Sequence, residues 1–367
     1  MLVNMSKLLA DAQKGNYAVG SFSVANMEMV LGVLKASEEL NAPVILQIAE
    51  VRLKQSPLEL IGPLMVASAK YAKTPVAVHF DHGKTIEKIS QALELGFTSV
   101  MFDGSHLELD ENIKVTKEVI KLAKKYGADV EAEIGCVGGS EDGSEDIAIN
   151  CTKPEDAVKF EKETGVDALA ISYGTMHGAS KGKNVKLRKE IAIAIKECMM
   201  HEGIFGVLVS HGSSTVPKYI VDEINALGGN IQNAYGISID ELKAAIPCGI
   251  GKINVDTDIR LAVTRNMKEF FANHPEKRES QSIGEVYRLL EAKKEQFDPR
   301  AFLTPIMDTV MYGIIPDEDV AALMAVVEKG VKEAIGTLIV EFGSYGKAPL
   351  VEMASLDEMA ERYRKGL

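Results

Sequence analysis

The chain has 367 residues, 46% of them hydrophobic, and its 41 Lys and Arg against 53 Asp and Glu give a formal net charge of −12. That is apolar material enough for one decorated barrel or two ordinary domains, and it argues against disorder as the main state. The acidic balance gives no electrostatic reason to expect nucleic acid or an anionic membrane surface as partner, and no apolar run approaches the roughly 20 residues of a membrane span, so a soluble cytoplasmic protein is expected.

Before residue 17 the sequence gives no clear element. From Tyr17 onward, short runs rich in Val, Ile and Ala alternate with longer segments of helical periodicity. The predicted strands are 17–24, 43–49, 75–81, 98–103, 129–134, 168–173, 206–210 and 251–255. Predicted helices between them include 27–40, 57–73, 85–95, 110–126, 154–164 and 240–246, with Pro57 and Pro154 as first-turn residues. Buried strands alternating with helices imply a parallel sheet, and eight such units in roughly 250 residues match a (β/α)8 TIM barrel. A doubly wound open sheet is the runner-up. The segment 259–271 reads as the eighth helix, 273–305 as polar and charged, and 318–341 and 355–365 as helical. We therefore divide the chain into a barrel, residues 1–275, and a helical C-terminal extension, residues 276–367, packed on the barrel or on a neighbouring subunit.

Cys136, Cys151, Cys198 and Cys248 are widely spaced and form no Cys-x-x-Cys pair, so they read as reduced thiols. Histidines are more informative. They leave three predicted strands, in Val78-His79-Phe80-Asp81-His82-Gly83, Gly174-Thr175-Met176-His177-Gly178 and Val207-Leu208-Val209-Ser210-His211-Gly212. Barrel strand ends converge on one face, so His82, His177 and His211 are candidates for an open zinc site with three protein ligands. Asp81, Asp103, Glu131, Glu133, Asn254, Asp256 and Thr257 fall on or at the ends of the same strands. His79 and His106 read as supporting groups, and His201 and His274 as ordinary helix-end or surface residues. The stretches after two of the histidines, Gly178-Ala179-Ser180-Lys181 and Gly212-Ser213-Ser214-Thr215, offer N–H groups, hydroxyls and an ammonium of the kind that holds a phosphate. The glycine-rich acidic loop 135–146 is either a solvated connection or a mobile lid carrying a carboxylate.

These stretches resemble, in order and register, those of the class II, metal-dependent fructose-bisphosphate aldolase family. So do Asp103-Gly104-Ser105-His106-Leu107, Glu131-Ala132-Glu133-Ile134-Gly135, Gly138-Gly139-Ser140-Glu141-Asp142 and Lys252-Ile253-Asn254-Val255-Asp256-Thr257-Asp258. The resemblance implies zinc on His82, His177 and His211, with Asp103 and Glu133 able to hold the metal in an alternative position or a second divalent ion. It implies Asp81 as acid/base at the C4 hydroxyl and Glu141 as the group exchanging the C3 proton of dihydroxyacetone phosphate. Gly178, Lys181, Gly212, Ser213, Ser214, Asp256 and Thr257 would surround the C1 phosphate and a monovalent Na+ or K+, and Asn254 would touch the enediolate. Asp298-Pro299-Arg300 matches the segment whose arginine reaches the C6 phosphate, often across a dimer. The implied activity is reversible cleavage of fructose 1,6-bisphosphate to dihydroxyacetone phosphate and glyceraldehyde 3-phosphate, by a homodimer or homotetramer. Ser23 and Ala49 depart from the family's usual Asn and small hydroxyl residue, and segments 276–296 and 311–320 and the chain beyond 342 are longer than usual. These departures keep a related ketose, tagatose 1,6-bisphosphate or a 6-deoxy-6-sulfo ketose 1-phosphate, as the alternative substrate. A metal hydrolase on the same barrel would want an early His-x-His pair, and a non-catalytic phosphosugar-binding protein would have no use for Asp81 together with Glu141.

Overall fold

In the computed structural model, residues 1–139, 149–179, 181–306 and 317–351 are described. All eight predicted strands form: β1 (Val19–Ser23), β2 (Val44–Ala49), β3 (Val76–Gly83), β4 (Ser99–Phe102), β5 (Asp129–Ile134), β6 (Ala168–Ile171), β7 (Val207–Ser210) and β8 (Ile250–Val255). Each pairs in parallel with the next, and β8 returns to β1 with Ser21 opposite Asn254, closing a barrel in sequence order. Closure excludes the open-sheet alternative. Every residue of these strands is buried, as expected where helices cover the outer face and side chains fill the inside.

The outer helices are α2 (Met27–Glu39), α3 (Leu58–Tyr71), α4 (Ile86–Glu94), α5 (Leu109–Ala123), α6 (Pro154–Thr164), α7 (Lys189–His201), α8 (Lys218–Ala226), α9 (Ile239–Ala245) and α10 (Thr257–Asn273). Their starts follow local chemistry. Asn26 Oδ1 accepts the Met29 N–H at 2.9 Å and Pro154 opens α6. A helix absent from the sequence reading, α1 (Met5–Gly15), buries Met5, Leu8, Leu9 and Ala12 against Val19, Ile45, Ala77, Ala170 and Val209, closing the end of the barrel opposite the strand exits.

The segment read as merely polar, 273–305, contains α11 (Gly284–Ala292), which buries Val286 and Leu290, and the short α12 (Arg300–Leu303). Helix α13 (Glu318–Glu341) lies against α2 and α10, and its Val327, Val331 and Ile335 join the same apolar core as the barrel. Close approach is possible because Gly32 and Gly330 lack side chains: a Cβ on Gly32 would meet Val331 Cβ at 2.7 Å, and one on Gly330 the Ala262 carbonyl at 2.9 Å. The predicted helix 355–365 lies outside the described residues.

At the base of the wall between α6 and β7, Glu161 is buried with Oε1 lacking a hydrogen-bond partner. Burial, with Asp167 adding and Lys196 opposing, pushes its carboxyl up to about 8. The folded state therefore keeps a proton that the unfolded chain loses above its ordinary value of 4.5, so stability falls as pH rises from there through about 8. Glu161→Gln should leave Tm nearly unchanged at pH 5 and raise it by a few degrees at pH 9, read by scanning calorimetry. An equal Tm difference at both pH values would refute the assignment.

Candidate active site

Neighbouring side chains on a regular strand point to opposite faces. Asp81 and His82 nevertheless both line one cleft of about 940 Å³ at the strand exits. The β3–β4 register shifts between Phe80 and Gly83, and His82 adopts φ 44°, a left-handed value uncommon for a side-chain-bearing residue. That local strain turns His82 toward the side that Asp81 already faces. It also carries β3 to Gly83, two residues past the predicted end.

His82 then meets His177, from the loop after β6, and His211, the first residue after β7. Ring centroids are 5.2 Å apart for His82 and His177, 4.6 Å for His82 and His211, and 6.4 Å for His177 and His211. Carboxylates back two of the rings. His82 Nδ1 lies 2.8 Å from Asp103 Oδ2, and His211 Nε2 lies 2.7 Å from Glu131 Oε1. On its other side, His211 Nδ1 stands 2.9 Å from Glu133 Oε2, yet neither atom has a hydrogen bond. Two buried polar atoms facing each other without alignment, beside two more imidazoles and Asp103, suit a metal ion. Ligand atoms of Asp81, His82 and His211, and those of His82, Asp103 and Glu133, each fall within 4.8 Å of one another. The His177 ring completes the cluster edge-on to both other imidazoles.

Asp81 is held by amides. Gln47 Nε2 donates to Oδ2 at 3.0 Å and Asn254 Nδ2 to Oδ1 at 3.1 Å. Burial opposes its charge, but His82, His79, Lys252 and His211 outweigh burial and hold it well below the usual carboxylate range. Asp81 is thus held as an ionised carboxylate inside the barrel. Gln47 also donates to Ser23 Oγ at 3.1 Å, so the hydroxyl that departs from the family is tied into the support of Asp81.

The two Gly/Ser stretches form the cleft wall beside the histidines. Ser214 Oγ accepts the N–H of Thr257 at 3.1 Å and of Asp256 at 3.3 Å, which brings the β7 loop to the N-terminus of α10, a favourable place for an anion. Gly212 has φ 59°, and a Cβ there would strike Met176 at 2.6 Å. Lys181 Nζ donates to the carbonyls of Met176, at 2.5 Å, and Gly212. Asp258 accepts the Thr215 N–H at 2.9 Å and fixes the same loop from behind.

At the far end of the cleft, Arg300 pairs with Asp298 and donates to Gln55 at 3.4 Å. Asp256 pairs with Arg52 and accepts from Arg260 Nε at 2.9 Å. Sequence reasoning selected Arg300 and passed over Arg52, Arg260 and Gln47; a helix or loop arginine carries no positional signal of its own, whereas Gln47 interrupts an apolar strand and was legible. Of the supporting histidines, His79 is buried and bonded to Ser99 Oγ at 2.8 Å, but His106 is exposed, because Ser105 turns back to Asp103 and leaves the next side chain facing solvent. Glu141 and Ser180 lie outside the described residues. A second cleft, of about 1040 Å³, lies outside the barrel beside α8 and α13 and is lined by none of His82, His177 and His211.

Residues 3–347 match the family model for class-II fructose-bisphosphate aldolase. A fructose-bisphosphate aldolase from Giardia intestinalis is 38% identical over 365 residues, covering 99% of each chain, and one from Thermus caldophilus is 38% identical over 315 residues, 84% of this chain and 94% of that protein. The crystal structure of the YdjI aldolase from Escherichia coli K12 superposes with a TM-score of 0.68 at 28% identity, over 95% of this chain and all of that one. The chain belongs to the class II fructose-bisphosphate aldolase family, a metal-dependent family of lyases. For the histidine cluster the expected outcome is one tight zinc equivalent per chain after chelator treatment and dialysis, lost in His177→Ala. Undiminished zinc binding by that variant would remove His177 from the ligand set.

Proposed function

We propose that this class II family member reversibly cleaves fructose 1,6-bisphosphate to dihydroxyacetone phosphate and glyceraldehyde 3-phosphate, with zinc held by His82, His177 and His211. The observation that carries the reading is the meeting of an ionised Asp81 with three imidazoles at the strand exits, two of them lining a cleft that Arg260 and Arg300 also line. A bound zinc supplies Lewis acidity, polarising the ketose carbonyl and favouring the negative charge left when C3–C4 breaks. Asp103 and Glu133 would serve a second divalent position.

Asp81 takes the C4 hydroxyl proton as the bond opens, with Gln47 and Asn254 fixing the direction of its lone pairs. Glu141 is the group proposed to exchange the C3 proton. Gly178, Gly212, Ser213, Ser214 and Thr257 would line the C1 phosphate, with Lys181 supplying positive charge; Asn254 would touch the enediolate. Asp256, paired with Arg52 and Arg260, would stand beside the C1 phosphate and its cation and orient those guanidinium groups. A Na+ or K+ near that phosphate belongs to the proposal, although the Lys181 ammonium sits on the Met176 and Gly212 carbonyls that would favour such an ion. Arg300, with Arg260 beside it, would meet the C6 anion. We further propose a barrel of residues 1–275 with a C-terminal extension, assembly as a homodimer or homotetramer, and a cytoplasmic site of action.

With Ser23 Oγ accepting from Gln47 and Ala49 buried, the aldehyde end offers less hydroxyl and amide recognition than the family's usual Asn and hydroxyl residue. That favours keeping tagatose 1,6-bisphosphate or a sulfonated ketose 1-phosphate as the alternative, separable by cleavage assays on a small ketose panel.

Asp81→Ala should lower kcat about 10²–10⁴-fold with zinc content retained. Normal turnover with one zinc bound would assign the C4 proton to another group. Arg300→Ala should lower kcat/KM for fructose 1,6-bisphosphate about 10- to 150-fold, and far less for a substrate without the C6 anion. Equal losses for both substrates would make Arg300 structural.

A further inference from the structure

Lys252 lies in the middle of β8, two residues before Asn254, and is wholly buried. Its Nζ is 2.8 Å from Glu131 Oε2 on β5, across the barrel interior, and Glu131 is wholly buried as well. The other oxygen of that carboxylate accepts from His211 Nε2 at 2.7 Å. His79 Nε2 is the remaining neighbour, 3.6 Å from Glu131 Oε2 and 3.7 Å from Asp81. An ammonium and a carboxylate taken this far from water are costly unless something fixes the geometry of both. His79, Asp81 and Glu131 also bring ligand atoms within 4.8 Å of one another, but Lys252 already supplies the positive charge there.

The chain continues from this ion pair to the candidate metal. A neutral imidazole has one donor nitrogen and one acceptor nitrogen, and the partner of one nitrogen decides which lone pair the other offers. Glu131 can only accept from Nε2 while its carboxylate stays anchored. Nδ1, 2.9 Å from Glu133 Oε2, then keeps its lone pair for a metal.

We propose that Lys252 is a positioning residue for the metal centre: by anchoring the Glu131 carboxylate, it fixes the tautomer and ring orientation with which His211 offers Nδ1 toward His82 and His177. The inference rests on the metal reading above and adds to it two groups, on β5 and β8, that touch neither metal nor substrate.

Zinc affinity tests it, measured on purified full-length protein by competition with a chromophoric chelator. Lys252→Met and Glu131→Gln should each weaken zinc binding about 10- to 100-fold. Each should also change the visible spectrum of the cobalt-substituted protein. A merely structural ion pair would lower Tm in both variants and leave zinc affinity and the cobalt spectrum as in wild type, which would overturn the proposal. Because a single buried charge can unfold the chain, the double variant Lys252→Met/Glu131→Gln removes both charges together. It should regain Tm relative to the single variants and still bind zinc weakly; tight binding in a folded double variant would equally overturn the proposal. Failure of the wild-type protein to bind zinc would strike the metal reading itself, whereas wild-type affinity in the variants strikes only the role of Lys252.

Discussion

Charge inside a closed barrel has to be neutralised where it sits, because no water reaches the strands to screen it. This barrel has Asp81, Glu131 and Glu133 on its interior strands, all 2% exposed or less. Lys252 and the imidazoles of His79, His82 and His211 surround them, each with a nitrogen within 3.7 Å of a carboxylate oxygen. The apolar layer built by α1 with Val19, Ile45, Ala170 and Val209 stops below this cluster. The interior is thus divided between an oily half that holds the fold together and a charged half that holds the cleft open to chemistry.

The charged half could not be built from ideal strands. Asp81 and His82 are adjacent, and a regular β3 would send one of them into the helix layer. The bulge and the φ of 44° at His82 redirect it, and the following glycine permits the approach: a Cβ on Gly83 would lie 2.5 Å from the Met101 carbonyl. Strain of this kind persists where surrounding contacts over-determine it. Here those contacts are the pairing of His82 with Asp103 and the amide grip of Gln47 and Asn254 on Asp81.

Much of this was legible in the sequence. Eight apolar runs marked the strands to within two residues at most ends, and His82, His177, His211, Asp103 and Glu133 gather where their positions at strand exits implied. Interior polar residues stood out because they interrupt hydrophobic runs; by the same rule Lys252 and Gln47 could have been selected. Helix α1 was equally readable, since Met5, Leu8, Leu9 and Ala12 follow helical spacing, but its short length and charged neighbours hid it. What periodicity could not reveal was distance between remote segments. Arg260 and Arg300 come from α10 and from α12, and Arg52, from a turn after β2, reaches Asp256 beside them; only the fold brings these three together.

That arrangement bears on how the far end of the cleft recognises its ligand. Asp256 holds Arg52 and Arg260, and Asp298 holds Arg260 and Arg300, so these guanidinium groups are fixed in direction. A planar guanidinium is a fork whose geometry suits a tetrahedral or planar anion better than a hydroxyl. Ser23 is meanwhile committed to Gln47. Under the proposed aldolase reading, discrimination at this end would depend on where an anion sits relative to the arginines, and sugars that differ only in the configuration of one hydroxyl would be told apart nearer the histidines, where Asp81 and its amide partners hold fixed directions.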